Sequence, residues 1–72
     1  MERKKVSIQT EYIKLDSLLK FAGVLETGGQ AKEVIQSGQV LVNGEPCIQR
    51  GKKLRPGDKA ALEGIEIEVC SP

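Results

Sequence analysis

The apolar residues of this chain change period once, and that change limits the fold more than any other feature. Leu15, Leu18, Leu19 and Ala22 fall at i, i+3, i+4 and i+7, and Ala31, Val34, Ile35 and Gly38 repeat the spacing. Each set is one apolar stripe on a helix of about two turns. From Gln39 onward the spacing becomes two. Val40 and Val42 point one way, and further on Ile65, Ile67 and Val69 face inward while Glu66 and Glu68 face out. A helix repeats every 3.6 residues and a strand every two, so the two patterns occupy separate stretches of chain. A short strand from Lys5 to Gln9, built on Val6 and Ile8, precedes the helices. The order is therefore β-α-α followed by strands, an α+β fold. Each helix has a single apolar face, so the two must pack on each other and on the sheet.

Local signals punctuate this order. Gly23 is a natural stop for the first helix. Thr27-Gly28-Gly29-Gln30 reads as a capping box that starts the second, with Thr27 and Gln30 bonding reciprocally. Gly38 ends that helix in a left-handed conformation. Asn43-Gly44 is a strong signal for a type I′ hairpin, and a second hairpin turns at Glu63-Gly64. Pro46 marks an edge or an irregular start for the following strand, which Ile48 is expected to anchor. Gln49 to Arg55 is polar and basic, a loop or a poorly covered strand, and Pro56-Gly57 is a turn with Pro at its first central position.

At 72 residues the chain reads as one domain, 1–72. A domain of this size buries only about 60% of the surface exposed by its unfolded chain, so one modest core uses most of the apolar residues. The absent residue types narrow the chemistry further. There is no His, which removes the commonest general base and the commonest metal ligand. Ser7, Ser17, Ser37, Cys47 and Cys70 therefore have no imidazole to activate them as nucleophiles. No pair of carboxylates sits in an apolar setting that would separate two pKa values. Cys47 and Cys70 form no C-x-x-C motif and read as small apolar residues in or near the core. Tyr12 and Phe21 are the only aromatics, too few for a stacking platform of several rings. Both read as packing residues, Tyr12 half-buried and Phe21 in the core or its rim. The charged start Met1-Glu2-Arg3-Lys4-Lys5 leads into no apolar segment, and no run reaches the ~20 apolar residues of a membrane span. The expected setting is the cytoplasm. No enzyme activity, cofactor, metal or small-molecule substrate is expected.

The formal net charge of +1 conceals a segregation. Arg3, Lys4 and Lys5 outweigh Glu2 at the start. Arg50, Lys52, Lys53, Arg55 and Lys59 outweigh Glu45 and Asp58 in 43–59, leaving three positive charges. Glu63, Glu66 and Glu68 stand alone in 60–72. The local field, more than the total, attracts a polyanion. Clustered Lys and Arg bind nucleic-acid phosphates by releasing condensed counterions, and they equally form solvated loops; composition leaves both readings open. Gly28-Gly29 could hold a phosphate on the backbone N–H groups of a helix start, although no G-K-[ST] follows.

Residues 14–58 resemble a known family, the S-four RNA-binding domain, named for the fourth protein of the small ribosomal subunit. The resemblance lies in an ordered set. Lys14-Leu15-Asp16 opens the first helix. Ala31, Ile35 and Gly38 lead into Val40-Leu41-Val42-Asn43-Gly44. Lys52-Lys53-Leu54 then precede Gly57-Asp58. Leu18-Leu19-Lys20 and Gly28-Gly29 extend the likeness to the small stand-alone bacterial YaaA/YbcJ-like branch. It implies an alpha-L motif: two short packed helices against a small antiparallel sheet with hairpins. It also implies that a helix face and adjacent loops contact structured RNA, often ribosomal or transfer RNA. Many members carry Ser-Arg where this chain has Thr27-Gly28, and a basic residue where it has Leu41. The contact surface implied here is Lys14, Lys20, Gly28, Gly29, Lys32, Arg50, Lys52, Lys53 and Arg55. The alternative is a protein-interaction adaptor of the translation machinery that docks on a ribosome-associated factor through the acidic Ile65–Val69 hairpin. A ubiquitin-like sulfur carrier, which shares the V-x-V-N-G hairpin, needs a Gly-Gly C-terminus, whereas this chain ends Val69-Cys70-Ser71-Pro72.

Overall fold

The computed structural model describes residues 2–72; Met1, the first residue of the charged N-terminal segment, lies outside them. Seven strands and two helices follow in the order β1 (Glu2–Ser7), β2 (Ile13–Lys14), α1 (Leu15–Phe21), α2 (Gly28–Gln36), β3 (Leu41–Val42), β4 (Glu45–Pro46), β5 (Lys53–Leu54), β6 (Lys59–Leu62) and β7 (Ile65–Cys70). The α+β order expected from the period change is the observed one.

Helix ends form where the local chemistry places them. Thr27 Oγ1 accepts from the Gln30 backbone N–H at 3.1 Å, and Gln30 Oε1 accepts from the backbone N–H of Thr27 at 3.3 Å and of Glu26 at 3.0 Å. Both C-termini close with the same pair of bonds. After α1 the N–H groups of Gly23 and Val24 donate to the carbonyls of Lys20 and Leu19, and after α2 those of Gly38 and Gln39 donate to Ile35 and Val34. This Schellman arrangement requires a left-handed residue in the middle, which Gly23 (φ 74°) and Gly38 (φ 82°) supply.

Five strands form one sheet in the order β1-β7-β6-β3-β4, and β2 pairs with β5 in a separate two-stranded ribbon. The β3–β4, β3–β6 and β6–β7 pairs are antiparallel. Two of them are hairpins with positive φ at both central residues, Asn43 and Gly44 in one, Glu63 and Gly64 in the other, as a type I′ turn demands. The sheet departs from the all-antiparallel expectation at one edge. There β1 lies parallel to β7, with Glu2 opposite Ile65 and Ser7 opposite Cys70. The helices and every other strand lie between these two elements in the chain, so the antiparallel geometry of a hairpin is not imposed on them.

One face of the sheet carries the core. Val6, Ile8, Val42, Ala60, Leu62, Ile67 and Val69 meet the buried stripes of α1 (Leu15, Leu18, Leu19) and α2 (Ala31, Ile35). Leu54 joins them with no exposed surface, although its neighbours Lys53 and Arg55 are exposed. Two expectations fail here. Ile48 does not anchor a strand: β4 ends at Pro46 and Ile48 is exposed, because Cys47, half-buried, is the residue of that segment that packs on the core. Phe21 is neither core nor rim, at 75% exposed. It falls off the i, i+3, i+4, i+7 stripe, and the helix turns it outward.

Candidate functional site

The charged segments that the sequence separates are partly reunited by the sheet. Parallel pairing sets Arg3 opposite Glu66 and Lys5 opposite Glu68, while β6 sets Lys59 opposite Glu68 from the other side. Arg3 Nε lies 3.7 Å from Glu66 Oε1. The acidic C-terminal strand is thus flanked by cations on both neighbouring strands. It is also an inner strand of the sheet, with its backbone paired on both sides.

No such compensation reaches the basic loop. Among the described residues, Lys14, Arg50, Lys52, Lys53 and Arg55 form no ion pair, and all five are exposed. The β2–β5 register places Lys14 directly opposite Lys53. Like charges in facing positions of an antiparallel pair are destabilising by a few tenths of a kcal/mol to about 1 kcal/mol. The backbone holds them there nonetheless. The first N–H groups of α1 have no partner within the helix, and two of them bond to the loop: Leu15 N–H to the Lys52 carbonyl at 2.9 Å and Asp16 N–H to the Arg50 carbonyl at 3.2 Å. Burial of Leu54 pins the far side of the loop, worth roughly 1.5–3 kcal/mol for a full apolar side chain. Lys53 extends its ammonium over the Tyr12 ring, 4.8 Å from the centroid; such a cation–π contact orients the charge at a gain of about 0.5–1 kcal/mol at an exposed site. Tyr12, half-buried as expected, thus also positions a lysine.

The remaining motif residues close the loop at its other end. Asn43 Oδ1 accepts from the Lys59 backbone N–H at 3.0 Å, and Asn43 Nδ2 donates to Asp58 Oδ1 at 3.3 Å. Asp58 Oδ2 accepts from the Arg55 backbone N–H at 2.8 Å. The Asn-Gly of one hairpin and the Gly-Asp of the following turn are two halves of one clasp. These residues shape the loop, and their side chains are engaged within the protein.

The nine residues singled out from the sequence therefore fall into two groups. Lys14, Arg50, Lys52 and Lys53 come together at the start of α1, and Arg55 continues the same segment past Leu54. Lys20 lies in the last turn of α1, and Lys32 on α2, both exposed. These two and Gly28-Gly29 share no hydrogen bond with the loop cluster. The capping box engages the N–H of Gln30, while the N–H groups of Gly28 and Gly29 have no partner among the described residues. A Cβ at Gly28 would meet nothing within 4 Å, so the interior does not require glycine there. Two features escaped sequence reasoning: the ribbon that pairs Lys14 with Lys53, which is too short to show a period, and the exposure of Phe21, which its position off the helix stripe did signal. No described helix is long and apolar enough to cross a membrane.

Comparison with known proteins gives the family. The chain is 48% identical over 60 residues to the probable ribosome maturation protein RlbA of Bacillus subtilis, covering 83% of this chain and 84% of that one. It is 33% identical over 60 residues to the putative RNA-binding protein YbcJ of Escherichia coli, covering 83% and 86%. A model of the S4 domain matches residues 6–70. With the two capped helices, the Asn-Gly clasp and the loop they frame, that match makes the chain a member of the S4 domain family.

Proposed function

We propose that residues 1–72 act as one non-catalytic module that binds structured RNA, ribosomal or transfer RNA, in the cytoplasm, with the motif core at about 14–58. The observation that carries this reading is the facing pair Lys14 and Lys53, held without a counter-charge beside Arg50 and Lys52. A protein that fixes like charges together and leaves them unpaired is complementary to a line of phosphates. Lys14, Arg50, Lys52, Lys53 and Arg55 meet the phosphates directly. Lys20 and Lys32 extend the contact along the helices, and the free N–H groups of Gly28 and Gly29 donate to one phosphate oxygen. With two aromatics and few amide side chains, readout follows RNA shape more than base sequence. The names of the relatives, one in ribosome maturation and one in RNA binding, support the same reading.

The test is affinity for ribosomal and transfer RNA across a salt series. Neutralisation of four or five phosphates gives a log–log slope of roughly −3 to −5. Absent or salt-independent binding would sink the RNA reading and favour the protein-interaction adaptor. The acidic hairpin proposed to carry that adaptor role lies on a strand whose glutamates already face cations.

A further inference from the structure

Phe21 is one of two aromatic side chains in the chain, and three-quarters of its surface meets solvent. A single exposed apolar residue is ordinary; its surroundings are not. Two shallow concavities meet at Phe21 and share Ile13 with it. One continues to Ser17 and Lys20, the other to Gln9 and Thr10. No acidic residue lines either. Ile13 is the strand residue immediately before Lys14, so the aromatic surface adjoins the uncompensated basic cluster. Along α1, Ser17, Lys20 and Phe21 follow at i, i+3 and i+4, which places them on one face over about 6 Å.

We propose that Phe21 is a stacking site for one unpaired nucleobase of the bound RNA, with Lys20 holding the phosphate of that nucleotide. This rests on the RNA-binding reading and adds to it a contact that phosphate neutralisation does not supply. A ring with both a free face and an adjacent ammonium matches the two halves of a nucleotide: a flat π surface and an anionic group. A base stacked on an aromatic side chain contributes about 1–3 kcal/mol, or roughly five- to a hundredfold in affinity. The site tolerates any base, since every base has a π face, and it selects RNA with a splayed nucleotide over a fully paired helix.

Phe21→Ala and Phe21→Trp are compared with the parent chain for binding to total ribosomal RNA, with thermal unfolding as the check on folding. The exposed ring leaves the core intact in both variants. Phe21→Ala binds five- to a hundredfold more weakly with an unchanged salt slope. Phe21→Trp retains affinity, and its indole, the only one in the chain, is quenched on binding. Affinity of Phe21→Ala within twofold of the parent would overturn the stacking site and leave Phe21 as a protein contact, as would unquenched indole emission in the complex. If the parent chain itself fails to bind ribosomal RNA, the RNA reading falls first, and that result is distinct from a failure confined to Phe21.

Discussion

The β1–β7 edge and the β2–β5 ribbon treat charge in opposite ways. Along the first, every exposed cation of Arg3 and Lys5 faces a glutamate across the strand register. Along the second, Lys14 faces Lys53. The two basic segments look alike in sequence, each with lysines and an arginine within a few residues. Their meanings differ because strand pairing has assigned one of them a partner inside the molecule and left the other without one. A run of charge becomes a candidate binding surface only after the fold has shown what lies opposite it.

The largest effect expected from this contrast is on binding. Lys52→Glu, Lys53→Glu and Arg55→Glu together should lower RNA affinity about a hundredfold or more and flatten the salt slope. All three side chains are exposed, so stability should change by no more than about 0.5 kcal/mol each. A fluorescence-anisotropy titration paired with a thermal melt separates the two quantities. Loss of the melt together with the binding would mean that the loop is structural.

Asn43→Ala addresses what holds the loop. It removes two side-chain hydrogen bonds and leaves alanine at φ 52°. The expected cost is about 1–3 kcal/mol, read as a lower urea midpoint. Arg3→Glu with Lys5→Glu converts the compensated edge into one of facing like charges. The expected loss is about 1 kcal/mol of stability, with RNA affinity within about twofold once folded protein is compared. A large loss of affinity in this variant would erase the distinction between the two regions. The smallest effect has the most informative sign. Lys14→Gln should raise the stability of the free protein by a few tenths of a kcal/mol, because it relieves the Lys14–Lys53 repulsion, while weakening RNA binding several-fold. Destabilisation by Lys14→Gln would show that the facing pair is not under electrostatic load.

The elements legible in the sequence are those whose causes are local. The Thr27–Gln30 box, the Gly23 and Gly38 stops and the two positive-φ hairpin turns each depend on residues within a few positions of one another, and each forms where its residues predict. The parallel β1–β7 pair depends on register between opposite ends of the chain, and nothing in either strand encodes the other. The site was half legible for the same reason. The basic residues of the loop stand out in composition, but their convergence with Lys14 depends on a two-residue ribbon and on carbonyls that satisfy the start of α1. The Asn43–Asp58 clasp shows the intermediate case: both residues stand out as turn formers, while the bond between them belongs to the fold. Phe21 reads as core or rim from its apolar ring alone, whereas its place off the Leu15, Leu18, Leu19 and Ala22 stripe turns it outward, and the stripe is the better guide.

The parallel edge also orders events in time. Among the described elements, β1 is made before all the others, and its partner in the sheet, β7, is made after them. The helices, the hairpins and the clasp can form from segments close in sequence, but β1 must wait, as an unpaired basic strand, until Ile65–Cys70 has been synthesised. Contacts of such long sequence separation are slow to close. Until β7 is made, Arg3 and Lys5 lack the Glu66 and Glu68 that face them in the sheet, and the nascent chain carries more free positive charge than the folded one.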